Sequence, residues 1–495
     1  MSEYSLGIDL GSSSVKTSLL DLKSGKCAAS ASYPESEAPI ISPQKNWAEQ
    51  DPEQWWVYLC KCLEALSLRC RLASVRSIGI SYQMHGLVCL DSKGQSLRRS
   101  IIWCDSRAVE IGSQAFSEIG KQKCLGTILN SPGNFTASKL AWVKRNEAEI
   151  YSKIAKVMLP GDYIAYRLSS EISTTPSGLS EAMLWDFSTE SRADFVADYF
   201  GFDKSIFPGI VPSIGLQART NSLTERLFGI PQGTPVSYRA GDQPNNAFSL
   251  NVLRSGEVAA TAGTSGVVYG VGQNANPDPE GRVNTFLHVT PFESNAKGVL
   301  LCINSVGIMN SWARRQFCPE LSYPEMNSLA AQAPVGSDSL MVLPFGNGAE
   351  RMLSGKAPGA GFIGLDLVRS NRSSLLRAVQ EGIACAFNYG MDIMKAMGLN
   401  LKTIKAGSAN MFLSPLFCST LSSLSGATIE LYDTDGSLGA ARGAALGAGL
   451  YSDASEAFAS LELKSRIEPC TEWKSALEEF YGSWRSYLEN QVINK

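Results

Sequence analysis

Near the N-terminus the apolar positions come in short blocks separated by small polar turns. Residues 4–10 (YSLGIDL) read as a strand, Gly11-Ser12-Ser13-Ser14 as a turn, and residues 15–22 (VKTSLLDL) as a returning strand. Ser24-Gly25 turns the chain again, and residues 27–33 read as a third strand. The sheet therefore starts as an antiparallel meander. At Asp51 the period changes. Pro52 stands in a first helical turn, and Trp55, Trp56, Leu59, Leu63 and Leu66 follow at helical spacing. Residues 75–81 (VRSIGIS) return to a buried strand, so the pattern is mixed α/β.

The second half opens in the same way. Residues 257–262 (EVAATA) read as a strand, Gly263-Thr264-Ser265-Gly266 as a small-residue turn, and residues 267–271 (VVYGV) as its return. One device, a strand–small turn–strand hairpin, thus stands near the start of each half. That predicts two domains of related build. Residues 373–397 carry apolar positions at three- and four-residue steps, a core helix. Residues 403–406 and 428–431 read as short strands, and 439–450 as an Ala/Gly-rich helix or loop that lets another element or a ligand approach the backbone.

Composition narrows the class. The 495 residues exceed what one core accommodates, which predicts two domains or more. Apolar residues make up 44% and charged residues 18%, as in a soluble globular protein. A net charge of −3 gives no basic excess for nucleic acid. No apolar run reaches the roughly 20 residues that span a bilayer, so no membrane role is expected. Twelve scattered cysteines without a CxxC pair, and only two histidines, argue against a zinc site and for reduced thiols in the cytoplasm. Met1-Ser2-Glu3 runs directly into the first strand, so no signal peptide is expected.

The candidate chemistry sits at turns and strand ends. Consecutive amides in a tight Gly/Ser/Thr turn form an anion-binding hollow, and two such turns could hold a polyphosphate. Either turn alone reads more readily as an ordinary hairpin. Asp9 ends the strand before the first turn, where a carboxylate beside phosphate calls for a cation such as Mg²⁺. There is no Walker A loop. Gly359-Ala360-Gly361-Phe362-Ile363-Gly364 matches GxGxxG, but it follows a poor strand, and the acid at the expected distance, Glu381, falls inside a helix, so it reads as a chance match. In Ala240-Gly241-Asp242-Gln243-Pro244, Asp242 stands at a helix start and, read locally, fits an N-cap better than a base. Met84 and His85 follow a buried strand, where ligands of α/β folds sit. Trp103, Asp105 and Arg107 follow another strand, and Trp47-Ala48-Glu49-Gln50-Asp51 precedes the first helix. Both groups read equally as packing or capping clusters.

Taken in order along the chain, these segments resemble the FGGY family of carbohydrate kinases, and most closely its xylulose-phosphorylating members. GIDLGSSSVKTSLLD resembles the first phosphate motif, and WAEQDPEQWW the stretch leading into the first helix. GISYQMHGLVCLD and IIWCDSRA resemble the sugar-binding segments. AGDQPNNA resembles the catalytic-aspartate motif and ATAGTSGVVYGV the second phosphate motif. AGSANMFLSPLFCSTLSSLSG and GSLGAARGAALGAG resemble the adenosine-binding region. The resemblance implies an α/β fold of two actin/hexokinase-like (ribonuclease H-like) domains around a central cleft. The sugar-binding domain is expected over residues 1–245 and the nucleotide-binding domain over 246–495. It further implies that Asp242 is the catalytic base and that Asp9 acts beside Mg²⁺ and the transferred phosphate. Met84, His85, Trp103, Asp105, Asp242 and Gln243 are expected at the sugar. Gly11, Ser12, Ser13, Lys16, Gly263, Thr264, Ser265, Gly407 and Asn410 are expected at ATP. The expected reaction is transfer of the γ-phosphate of ATP to the terminal hydroxyl of a ketopentose, D-xylulose first. Glycerol, ribulose, other ketoses, gluconate and a non-catalytic sugar sensor are the alternatives. A homodimer is a family-level expectation. Three residues depart from the family pattern: Ser12 for Thr, Ala406 for Gly, and Gln243, which glycerol kinases share where many xylulose-phosphorylating members have Asn.

Overall fold

The computed structural model describes residues 2–274 and 276–493. The chain divides into two compact units. The first comprises Met1–Leu253, Phe286–Ala296 and Thr434–Leu461; the second comprises Arg254–Thr285, Lys297–Asp433 and Glu462–Lys495.

The first unit is built on a six-stranded sheet: β1 (Tyr4–Leu10), β2 (Val15–Asp21), β3 (Cys27–Tyr33), β4 (Val75–Tyr82), β5 (Ile214–Arg219) and β6 (Pro235–Gly241), in the order β3-β2-β1-β4-β6-β5. The meander β1–β2–β3 is antiparallel, β4 and β6 join parallel, and β5 closes the edge antiparallel. Within the second unit's sheet, β7 (Glu257–Ala262), β8 (Gly266–Gly272), β9 (Lys297–Ile303), β10 (Thr403–Gly407), β11 (Thr428–Tyr432) and β12 (Leu463–Ile467) follow the order β9-β8-β7-β10-β11-β12. Their pairings run antiparallel, antiparallel, parallel, parallel, antiparallel, the same sequence as in the first unit. The repeated hairpin seen in the sequence is the visible part of a whole repeated sheet.

Helix α1 (Pro52–Ser67) starts where the pattern predicts. Asp51 is its N-cap, and the Asp51 carboxylate accepts the Glu53 N–H at 3.0 Å. Helix α2 (Thr136–Asn146) and α3 (Asp242–Ser249) also belong to the first unit, while α4 (Gly307–Phe317) and α5 (Arg372–Ala396) belong to the second. The periodicity of α5 shows one apolar face, yet the helix is buried nearly all round from Ser374 to Met391. Its polar residues find partners: Arg377 pairs with Glu381 at 2.7 Å, and Glu381 also accepts from Ser337 Oγ. The GxGxxG stretch is a strand, Gly359–Ile363, paired antiparallel with Met341–Phe345. It does not open a helix, so no dinucleotide fingerprint is present there.

Helix α6 (Gly436–Gly447) begins three residues earlier than the sequence pattern suggests. Asp435 caps it, accepting the Leu438 N–H at 3.0 Å. Its small residues let it lie directly on the first sheet. A Cβ on Gly7 of β1 would stand 1.8 Å from the Ser437 carbonyl, and one on Gly79 of β4 2.0 Å from the Ala440 carbonyl. Ser5 and Ser237 donate from β1 and β6 to the helix carbonyls of Ala441 and Ala444, each at 2.7 Å. This packing is why a segment late in the chain belongs to the first unit. Among the described residues no helix is long and apolar enough to cross a membrane, and the cysteines form no disulfide.

Candidate active site

The first turn, Gly11 to Ser14, closes on itself: the Gly11 N–H donates to the Ser14 carbonyl at 3.0 Å. Asp9 sits one pleat before it, opposite Ser81 of β4 and Lys16 of β2 in the sheet register. Its carboxylate is half-buried and accepts from Ser81 Oγ at 2.7 Å. Burial pushes its pKa up, and the nearby Asp435 charge adds to that. Gly436 allows the close approach, because a Cβ there would stand 2.4 Å from Asp9 Oδ2. Lys16 does not balance Asp9 directly: its ammonium is bound to Asp435 at 2.6 Å. Its expected service to ATP must therefore run beside this pair.

Asp242 opens α3 at the end of β6. Gly241 is the N-cap and makes no side-chain cap bond, so Asp242 is the first helical residue. The local expectation of a cap is thus corrected. The position still offers helix-dipole stabilisation to a carboxylate, and the backbone and side-chain amides of Gln243 lie within hydrogen-bonding reach of it. Those effects are outweighed. Burial, followed by the Asp9 charge, pushes Asp242 up to about 7. A carboxylate poised there at neutral pH suits general-base work.

Met84 lies against this segment, and His85 follows Met84 in the chain. Met84 is buried, and a Cβ on Gly241 would meet its Cγ at 2.5 Å. His85 takes a left-handed backbone, φ 62°, and Glu181 holds it there. The His85 N–H donates to Glu181 Oε2 at 2.7 Å, and the ring Nδ1 meets the Glu181 carbonyl at 3.0 Å. Phe135 and Phe286 flank the imidazole, with ring centroids at 4.7 and 5.4 Å. Burial holds the Glu181 carboxyl well above the usual carboxylate range.

Lys139 on α2 is fully buried, and its ammonium donates to the His85 and Ile102 carbonyls at 2.8 and 2.9 Å. It laces the Met84–His85 segment to the segment bearing Trp103. Burial brings its pKa down to about 7. Trp103 itself is half exposed, with an indole open for stacking on a ligand.

Asp105 stands apart from that open surface. It is fully buried, accepts the Ala48 N–H at 2.6 Å, and is gripped by the Arg107 guanidinium at 2.7 Å. Arg107 in turn lies over the Trp47 ring at 3.8 Å. The Asp105 carboxylate is a brace for the segment around Trp47, and its geometry gives a sugar no direct access.

In the second unit the turn Gly263 to Ser265 is exposed at Thr264 and Ser265. Gly263 and Asn410 come together: a Cβ on Gly263 would stand 3.6 Å from Asn410 Nδ2. Asn410 has a positive φ of 53°, just beyond Gly407 at the end of β10, where a side chain would meet open space. The carbonyls of the turn are capped by the start of α4. Gly307 N–H donates to Gly263 at 2.7 Å, and Val306 and Ile308 N–H groups donate to Thr264 at 3.3 Å.

Sequence reading missed Lys139, Glu181 and Gly307. A lysine on the apolar face of α2 was the one available signal. Glu181 and Gly307 act through long-range bonds to backbone, which leave no local pattern.

Among the described residues no cluster of three or more His, Cys, Asp or Glu side chains could hold a metal ion. The donor available beside the first turn is the Asp9 carboxylate. One carboxylate fits Mg²⁺, which completes its shell with water and phosphate oxygens rather than a protein cage.

The chain is 29% identical over 442 residues to the xylulose kinase of Escherichia coli K12, covering 89% of this chain and 88% of that protein. Among solved structures it superposes on a xylulose kinase from Rhodospirillum rubrum with a TM-score of 0.88 at 23% identity, covering 98% of each chain. It superposes on a gluconate kinase from Lactobacillus acidophilus with a TM-score of 0.87 at 22% identity, covering 99% and 98% of the two chains. These likenesses fix the fold. Residues 4–249 match the model of the N-terminal domain of the FGGY family of carbohydrate kinases. The chain belongs to the FGGY family of carbohydrate kinases and is an ATP-dependent sugar kinase.

Proposed function

We propose that this kinase transfers the γ-phosphoryl group of ATP to the terminal hydroxyl of D-xylulose, giving D-xylulose 5-phosphate and ADP. The observation that carries the reading is the packing of Met84 on Gly241, beside Asp242, with Glu181 reaching both Gly241 and the His85 N–H. In this reading the sugar lies against Met84, His85 and Trp103 and presents its terminal hydroxyl to the Asp242 carboxylate. The xylulose kinase relative at 29% identity supports the choice of sugar.

In this reading the sugar hydroxyl oxygen attacks the γ-phosphorus while its proton passes to the Asp242 carboxylate. The bond from the γ-phosphorus to the bridging oxygen breaks, and ADP leaves with that electron pair. Phosphoryl transfer asks the protein mainly for positioning and charge. Within the first unit the Gly11–Ser13 turn would supply amides and hydroxyls to ATP phosphate; within the second, the Gly263–Ser265 turn would do the same, with Gly407 and Asn410 as further ATP contacts. Asp9 would hold Mg²⁺, which neutralises phosphate charge when bound.

A second reading has one observation behind it. The Gln243 amide lies beside the Asp242 carboxylate, at the position where glycerol kinases also carry Gln. That leaves glycerol, ribulose and gluconate as competing acceptors. A coupled ADP-release screen over pentuloses, hexuloses, polyols and aldonates decides between them. D-xylulose should give the highest kcat/KM. A higher value for a polyol or an aldonate would overturn the assignment while leaving the kinase chemistry intact.

A further inference from the structure

Both phosphate turns have a donor fastened to a carbonyl behind them. In the second turn the donors are backbone amides at the start of α4, which hold the Gly263 and Thr264 carbonyls. A trans peptide points its C=O and N–H in opposite directions. Holding those two carbonyls therefore aims the Thr264 and Ser265 N–H groups to the other side, where a phosphate can take them.

In the first turn a side chain takes this part. Gln50 Nε2 donates to the Ser12 carbonyl at 2.7 Å. By the same peptide geometry, this directs the Ser13 N–H away from Gln50 and out of the exposed turn. Gln50 is 3% exposed, and its Oε1 accepts from Trp55 Nε1 at 3.1 Å and from Gln83 Nε2 at 2.9 Å. Gln83 is the residue before Met84, and its own N–H donates to the Leu10 carbonyl at 2.7 Å. Gln50 therefore touches, through single hydrogen bonds, both the turn and the strand end that carries Met84 and His85. The stretch from Trp47 to Asp51, which reads in sequence as a packing or capping cluster, divides its work. Glu49 pairs with Arg107 at 2.9 Å, Asp51 caps α1, and Gln50 reaches the turn.

We propose that Gln50 is a positioning residue for phosphoryl transfer: it clamps the Ser12 carbonyl so that the Ser13 amide faces the ATP phosphates, and it ties that turn to the Met84–His85 strand end. This rests on the reading of the first turn as an ATP phosphate site. Gln50 touches no reacting atom.

Gln50→Glu is the discriminating variant. It keeps both acceptor bonds, removes the donor to Ser12 and sets a carboxylate oxygen against that carbonyl. Gln50→Met, uncharged and of similar length, serves the same measurements if the charged variant folds poorly. Asp51→Ala is the control, since it removes the cap of the same helix without touching the turn. On each protein we would measure the melting temperature, KM for MgATP and for the sugar that wild type prefers, kcat, and the calorimetric affinity for a non-hydrolysable MgATP analogue without sugar.

The Gln50 variants should raise the MgATP KM and weaken analogue binding about tenfold, the scale of one lost hydrogen bond. The sugar KM should stay within about twofold. Asp51→Ala should lower the melting temperature and leave the MgATP KM unchanged. Unchanged nucleotide affinity in a folded Gln50 variant would overturn the proposal, and so would an equal loss in Asp51→Ala. An error in the choice of D-xylulose would leave the analogue titration untouched. An error in assigning the first turn to ATP would appear as unchanged analogue binding in Ser13→Pro, which removes the Ser13 N–H itself.

Discussion

The two small-residue hairpins, which we propose hold the ATP phosphates, share a plan and differ in charge. Each is an antiparallel pair flanked by a parallel strand, and each ends in a short turn of Gly with Ser or Thr. Around the first stand Asp9, Lys16, Asp435 and Asp242, and their fields act on one another. Beside the second stands Asn410, which is neutral. The charged pair on that hairpin, Glu257 with Lys405 at 2.8 Å, sits at the opposite end of β7. In the proposed reading, duplicating the sheet duplicates the means of gripping phosphate, and the chemistry comes from what the first unit adds: β6 running into α3, which brings Asp242, and α6, which brings Asp435.

If that division is right, the largest effect lies at Asp242. Asp242→Asn should lower kcat about 10²–10⁴-fold, the usual contribution of a general base, while sugar binding measured by calorimetry survives. The same change should make the protein more stable. Asp242 has its folded pKa raised to about 7 from an ordinary 3.8. Its neutral form therefore contributes stability that is fully present below the ordinary value and is lost as the pH rises through about 7. Thermal melts should show the Asn variant level with wild type near pH 4 and above it by a few degrees at pH 8. A lower melting temperature at pH 8 would contradict the raised pKa.

The next effect should break the second turn alone. A Cβ on Gly307 would stand 2.4 Å from the Gly263 carbonyl, so Gly307→Val must displace backbone. We expect the MgATP KM to rise about tenfold or more, with the sugar KM held, at a cost of roughly 1–3 kcal/mol in stability. Steady-state kinetics with each substrate varied would show the split, and a matching rise in the sugar KM would erase the contrast between the hairpins. A smaller effect in the opposite sense is expected from Lys139→Met, which frees the His85 and Ile102 carbonyls. The sugar KM should rise several-fold, on the order of one or two neutral hydrogen bonds, with the MgATP KM unchanged.

How legible each hairpin was follows from where its information lies. The strands and turns of both were readable, because alternation and small-residue turns are local. So were α1 and the burial of α5, although its polar residues gave no sign that neighbours cover every side. The role of α6 was not readable. Its Ala/Gly composition allowed either a ligand or another element to approach, and the contacts at Gly7 and Gly79 show that a sheet does so. Asp105 followed a strand, as a site residue should, but Arg107 two residues on and the Ala48 amide consume its carboxylate. Glu181, Lys139 and Gln50 act through bonds to backbone atoms of residues far along the chain, 38 positions from Gln50 to Ser12 and 96 from His85 to Glu181. No periodicity records such bonds. The positive φ of His85 was equally invisible.

The concentration of charge on the first hairpin is tested most directly by the pH dependence of kcat/KM for the sugar. It would be measured at saturating MgATP and excess Mg²⁺ for wild type, Gly307→Val and Asp9→Asn. Wild type and Gly307→Val should share an inflection near pH 7, with activity rising as Asp242 ionises. In the residual activity of Asp9→Asn the inflection should move to lower pH, because the charge that helps hold Asp242 up is gone. A profile flat between pH 5 and 9, or an inflection that moves with Gly307 and not with Asp9, would contradict the account.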